Sequence, residues 1–138
     1  MEPVRKMLWT QAYSVGVPEL DQQHKVLFDI INRVAVLDGS ADSSERLHEI
    51  LIALFDYFES HCKSEESYMQ MISYPGFDGQ KAQHEEFLNK LDAISTKALD
   101  HKLDSVELYY FLRGWLIEHV MESDQQYRRY FEESHSRT

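Results

Sequence analysis

The sequence predicts an all-α protein: an antiparallel up-down-up-down four-helix bundle behind an irregular N-terminal arm. Apolar residues recur at helical spacing over four long stretches. Only five glycines and three prolines interrupt the 138 residues. No stretch shows the strict alternation of apolar and polar residues that marks a strand. Long helices with short connections favour antiparallel neighbours, and such bundles build metal sites between facing helices.

The elements follow in order. Residues 1 to about 18 read as the arm, with Trp9, Tyr13 and Val17 as anchors. Helix one runs roughly from Glu19 to Leu37, with Val26, Leu27, Ile30, Ile31 and Val34 on its apolar stripe. Asp38, Gly39 and Ser40 close it, Gly39 standing at a stop position. Helix two runs roughly from Ser43 to Ile72, capped by Ser43 or Ser44. Its stripe is Leu47, Ile50, Leu51, Leu54, Phe55 and Phe58. Tyr74, Pro75 and Gly76 break the chain. Helix three runs roughly from Asp78 to Asp100, and helix four roughly from Ser105 to Phe131. Leu108, Phe111, Leu112, Trp115 and Leu116 of helix four face inward, and the tail from Ser134 is expected to fray.

Length and composition bound the function. A chain of 138 residues is expected to form one domain, spanning 1–138, with one core. The formal net charge of -10 repels nucleic acid and anionic membrane surfaces, so neither is expected as a partner. No apolar run reaches the length of a membrane span. The N-terminal MEPVRKMLWT lacks the apolar stretch of a signal peptide, so a cytoplasmic location is expected. Cys62 is the single cysteine, cannot form an internal disulfide and reads as a buried or half-buried apolar thiol.

Chemistry concentrates on histidine. Each helix carries one inside its apolar pattern: His24, His61, His84 and His119. A lone helical histidine is ordinarily structural or exposed; one on every helix points to a shared site. His61 and Glu65, four residues apart, project from one face of helix two. Imidazole suits iron or zinc, and a carboxylate can bridge two metal ions. Glu66 points off that face and reads as a solvated acid. On helix four, His119 and Asp124 are five residues apart and diverge by about 140° on an ideal helix. A shared site then needs a wide opening or a local distortion such as a π-bulge. Asp21 lies one turn before His24 and could cap helix one or orient the imidazole. Phe28, Ile31, Phe58, Trp115 and Leu116 fall near the inward stripes and would give the site an apolar wall. Tyr68, Tyr109 and Tyr127 are candidate hydrogen-bond donors between which the sequence does not choose.

Four segments, taken together, carry a resemblance. Ser14-Val-Gly-Val-Pro-Glu-Leu-Asp-Gln-Gln-His24 looks like the approach to the first helix of bacterial hemerythrins. His61-Cys-Lys-Ser-Glu-Glu-Ser-Tyr-Met69 resembles their H-x-x-x-E-E-x-x-M helix. Tyr74-Pro75 followed by His84-Glu-Glu-Phe87 resembles the start of their third helix, and Trp115-Leu-Ile-Glu-His119 with Asp124 their W-L-x-x-H-x-x-x-x-D ending. The resemblance runs from Trp9 to about Tyr130.

It implies two iron ions, oxo- or hydroxo-bridged when diferric. Glu65 and Asp124 would bridge them, His24 and His61 would sit on the iron with an open position, and His84 and His119 on the other. It implies O2 or NO as the small ligand. It also implies a role as an O2 carrier or store, or as an O2 or redox sensor with a fused or separate signalling partner. One departure stands out: the family usually has a histidine four residues before the position of His84, where this chain has Gln80. Gln80 could ligate weakly, water could take the position, or another histidine could reach in. His48, His101 and His135 read as surface residues by helical phase. Two other functions compete, a di-iron oxidase or peroxidase and a metal-poor helical signalling module. The oxidase class places E-x-x-H pairs on two helices. This chain has one, Glu45-Arg-Leu-His48, off the inward phase, so a non-enzymatic binding protein is expected.

Overall fold

The computed structural model describes residues 5–37, 43–99 and 104–136. It is a four-helix bundle, with no strand among the described residues. A short 3-10 turn, Gln11–Tyr13, leads into α1 (Pro18–Ala35). The second and third helices are α2 (Ser43–Met71) and α3 (Phe77–Leu99). The fourth rod is composite: α4 (Ser105–Trp115), a π-helical segment (Leu116–Ser123) and α5 (Asp124–Ser136). Helix α2 packs against α1 and α3, and α1 packs against α4.

Local chemistry sets the helix ends. Pro18 opens α1, where its missing N–H costs nothing and its fixed φ suits the first turn. The Asp104 side chain accepts a hydrogen bond from Val106 N and caps α4. Helix α2 ends in a Schellman arrangement, with Tyr74 N donating to Met69 O and Ser73 N to Gln70 O. Ser73 takes the left-handed position, φ 55°, that glycine more often fills. Three residues on, a Cβ on Gly76 would lie 2.6 Å from the Tyr74 ring, so any larger residue there must push that ring aside.

The arm is anchored as expected. Trp9 and Tyr13 set their edges against Phe28, with ring centroids 5.4 and 4.6 Å away. Asn32 brackets Met7 by accepting from its N–H and donating to its carbonyl. The Ser14 carbonyl accepts from Arg128 and Gln125 of α5.

The apolar interior falls in two parts. A large cluster fills most of the bundle, built on Leu27, Ile31, Leu54, Phe58, Phe87, Leu91 and Leu112. A smaller one, Val15, Leu20, Met69 and Tyr127, closes one end. Between them runs a buried polar layer. Along α1, His24 separates Leu20 from Leu27; along α2, Glu65 separates Cys62 from Met69; along the fourth rod, Asp124 separates Val120 from Tyr127.

The structure corrects several sequence expectations. Val26 is 45% exposed, because Leu27, Ile30, Ile31 and Val34 already complete the inward face of α1. Phe55 and Phe111, expected on the inward stripes, do pack against the large cluster, each half-buried at its edge. The fourth rod does not fray at Ser134 but stays helical to Ser136. The proposed stop at Asp38–Ser40, the last residue of helix three, Asp100, and His101 lie outside the described residues, as do the side chains of Ser43 and Ser44.

Candidate metal centre

Four histidines and two carboxylates, one or two from each helix, meet in the polar layer. His24, His61, Glu65, His84, His119 and Asp124 are all at most 3% exposed. Burying this many ionisable groups is costly unless they pair with one another or hold a cation.

Their Nε2 atoms converge on the carboxylates in two groups. On one side, His24 Nε2 lies 3.3 Å from Glu65 Oε2 and 3.2 Å from Asp124 Oδ2, and His61 Nε2 lies 3.4 Å from Glu65 Oε2. On the other, Glu65 Oε1 is 2.8 Å from His84 Nε2 and 3.1 Å from His119 Nε2, while Asp124 Oδ1 is 3.0 Å from His119 Nε2. Each carboxylate therefore turns one oxygen to each histidine pair. Two donor sets, His24/His61/Glu65 and Glu65/His84/His119, each bring their ligand atoms within 4.8 Å of one another.

The contacts inside the cluster fit cations better than they fit each other. His84 and His119 point Nε2 at Nε2 across 3.1 Å. Both Asp124 oxygens and His24 Nε2 lack an aligned hydrogen bond among the described residues, despite their short separations. A positive ion on each side of the two carboxylates satisfies all of these atoms at once, so the residues present fit a pair of metal ions.

The π-helical segment makes this possible on the fourth rod. It spans the gap between His119 and Asp124. The extra residue per turn brings five-residue neighbours onto one face, which an α-helix would splay apart.

A second ring of side chains aims the imidazoles. Gln23 Oε1 lies 2.7 Å from His61 Nδ1, Glu66 Oε2 2.8 Å from His84 Nδ1 and Gln83 Oε1 2.9 Å from His119 Nδ1. Holding the proton on Nδ1 frees the Nε2 lone pair for a metal. Trp115 stacks on His119 at 4.2 Å and Tyr57 on His61 at 5.3 Å, both nearly parallel. Tyr57 O–H donates to the Gln23 carbonyl. Tyr127 O–H donates to Glu65 Oε2 at 3.2 Å. Burial raises the Tyr57 and Tyr127 phenols well above their ordinary range, so both stay neutral donors.

The electrostatics follow from the pairing. Burial works against charge on His24, His84 and His119. Nearby carboxylates outweigh it for His24 and His119, and Cys62 followed by Glu65 for His84, raising the three to about 9, 11 and 9 in chain order. His61 goes the other way, lowered chiefly by burial. Burial acts to raise the Glu65 carboxyl, yet the surrounding imidazoles hold it well below the usual range.

Several sequence readings change here. Glu66 is not a solvated acid; it is half-buried and orients His84. Asp21 does not touch His24. Its carboxylate accepts from Ser14 Oγ and Val15 N and ties the arm to α1. Phe28 packs on the arm, Ile31 and Leu116 are fully buried, and Phe58 and Trp115 pack against Phe87 beside the site. Tyr109 bonds to Arg5 of the arm, away from the cluster, and Tyr68 packs against Tyr127. Cys62 is buried and, with Glu66, lies within ligand distance of His84. His48 is half-buried and His135 exposed, and neither joins the donor sets. Gln23, Gln83 and Tyr57 escaped sequence reasoning, because a glutamine beside a histidine in sequence reveals nothing about which imidazole it will reach. Gln80 is 3% exposed, and neither of its amide atoms has a hydrogen-bond partner among the described residues. An unsatisfied buried amide costs about 1–3 kcal/mol.

The comparisons agree with this geometry. Residues 15–131 match the family described as the hemerythrin HHE cation binding domain. The chain belongs to the hemerythrin family. It is 32% identical over 123 residues to a bacteriohemerythrin of Methylococcus capsulatus, covering 88% of this chain and 93% of that one. It is 31% identical over 121 residues to the myohemerythrin of Sipunculus nudus, covering 88% and 90%. Among solved structures, crystals of a hemerythrin variant match with a TM-score of 0.81 and 29% identity, covering 89% of this chain and 95% of the other. No described helix is long and apolar enough to cross a membrane.

Proposed function

We propose that the chain holds two iron ions bridged by Glu65 and Asp124 and binds O2, or NO, as a carrier, store or sensor. The observation that carries this reading is the division of the four Nε2 atoms into two pairs, one at each end of the two carboxylates. His24 and His61 would hold one ion, His84 and His119 the other. An iron pair supplies reversible electron donation to a bound diatomic molecule.

The chain's own residues set the conditions. Gln23, Glu66 and Gln83 hold protons on Nδ1, so that Nε2 serves the metal. Tyr127 keeps a neutral hydroxyl on Glu65 and fixes that carboxylate. Leu116, Phe58 and the large apolar cluster keep bulk water from one side, and Leu20, Met69 and Tyr127 from the other. Excluding water favours release of the bound gas over its reduction, because reduction needs protons at the site. A binding role is also favoured over an oxidase because Glu45 and His48 of the E-x-x-H string sit on α2 more than three turns before His61.

The test is tonometry of the protein loaded anaerobically with ferrous iron. Admission of O2 should produce a visible absorption change that reverses under argon. Immediate, irreversible oxidation on first contact would count against a carrier and leave the one-way redox sensor. No change at all would contradict O2 binding.

A further inference from the structure

We infer that Gln80 leaves the metal position held by His84 and His119 exchangeable, so that the site accepts a small anionic or diatomic ligand on each of its two sides. This rests on the metal-pair reading above. Gln80 stands one turn before His84 on α3, the same face of the same helix. It is as buried as the ligand histidines. Around this site the other glutamines are satisfied: Gln23 and Gln83 each meet an imidazole Nδ1. Gln80 alone among them keeps a carboxamide with neither atom partnered.

The chemistry of that group decides what it can do. A carboxamide nitrogen has no free lone pair, so only Oε1 can face a cation. That oxygen is a neutral, weaker donor than an imidazole nitrogen toward transition metals. A weakly held donor is displaced by a small ligand, and the freed N–H groups can then donate to whatever replaces it. Two concavities reach the outer, Nδ1 edges of this histidine pair, and Gln80 lines neither, so a ligand would have to pass the imidazoles to reach it. A concavity of about 200 Å³ lined by Cys62, Glu66, Lys81 and His84 borders one histidine of this pair. Another of about 320 Å³, lined by Gln83, Phe87, Trp115 and His119, borders the other.

The experiment is an azide titration of the iron-loaded diferric protein, followed by visible absorption with the iron content measured in parallel. Wild type should take up two azides per iron pair in two steps. Gln80→His should take up one and retain its second iron at least about 10-fold more tightly against a chelator, since a direct nitrogen donor contributes no less than the outer partners that orient a ligand. Gln80→Ala, which removes the weak donor without adding a nitrogen, should still take up two. A single azide per pair in wild type and Gln80→Ala would overturn the inference and leave the metal-pair reading intact. Failure of wild type to hold two irons would overturn both.

Discussion

Loading the metal-free protein with a redox-inert divalent ion at pH 7 should release two protons per metal pair. The carboxylates of Glu65 and Asp124 raise His24 to about 9, so it carries a proton at neutral pH. His84 and His119 are raised to about 11 and 9. Their Nε2 atoms lie 3.1 Å apart, however, and two N–H bonds cannot point head to head across that distance. The pair therefore holds one proton between its Nε2 atoms. His61, lowered by burial, holds none there. Two imidazolium protons thus balance two carboxylates, and both must leave before Nε2 can bind metal. Each proton is worth about 1.36 kcal/mol per pH unit, so metal affinity should rise by about 2.7 kcal/mol per unit from pH 7 toward 9. Titration calorimetry with Zn2+ in two buffers of different ionisation enthalpy counts the protons. An enthalpy independent of the buffer would mean that none is released and would refute this account of the pairing.

Other expectations follow from the same geometry. In the metal-free protein, His24 and the His84–His119 pair, which shares one proton across 3.1 Å, hold their protons above the unfolded value near 6.5. Their stabilisation is complete below that pH and lost as pH rises through about 9 toward 11. The depressed Glu65 contributes above its ordinary value and loses that contribution on acidification, while His61 weakens the fold as pH falls below 6.5. Urea midpoints in chelator at pH 6, 8 and 10 should accordingly fall; a rise would contradict the signs. Gln83→Leu removes the partner of His119 Nδ1 and should weaken metal retention about 10- to 100-fold in chelator competition, with little change in helical content. Phe58→Ala empties a fully buried position 4.1 Å from the Phe87 ring and should cost about 3–5 kcal/mol in denaturant unfolding. Val26→Thr, at an exposed position, should change stability by less than about 0.5 kcal/mol.

Much of this molecule was legible before any coordinates. Helical periodicity places all four rods, with observed ends within a few residues of the expected ones apart from the fourth, which runs on to Ser136. The placement of His24, His61, His84 and His119 inside apolar stripes anticipates their convergence, because a stripe must face the bundle interior. The five-residue spacing of His119 and Asp124 conflicts with an α-helix, and the conflict resolves as a π-helical segment between them. What was not legible depends on tertiary approach. Glu66 looks exposed by phase on an isolated helix, but α3 brings His84 Nδ1 to it. Asp21 looks able to orient His24, but the arm folds back and takes its carboxylate. Val26 fits an apolar stripe by residue type, yet it lies at the edge of the face on which Leu20, Leu27, Ile31 and Val34 are buried.

The central claim is that two metal ions sit on opposite sides of Glu65 and Asp124. Anomalous diffraction at the iron edge, from crystals of protein loaded with ferrous iron and then exposed to air, tests it most directly. The account predicts two peaks of similar height, one near the Nε2 atoms of His24 and His61 and one near those of His84 and His119. A single peak, or one seated instead among Cys62, Glu66 and His84 Nδ1, would contradict it.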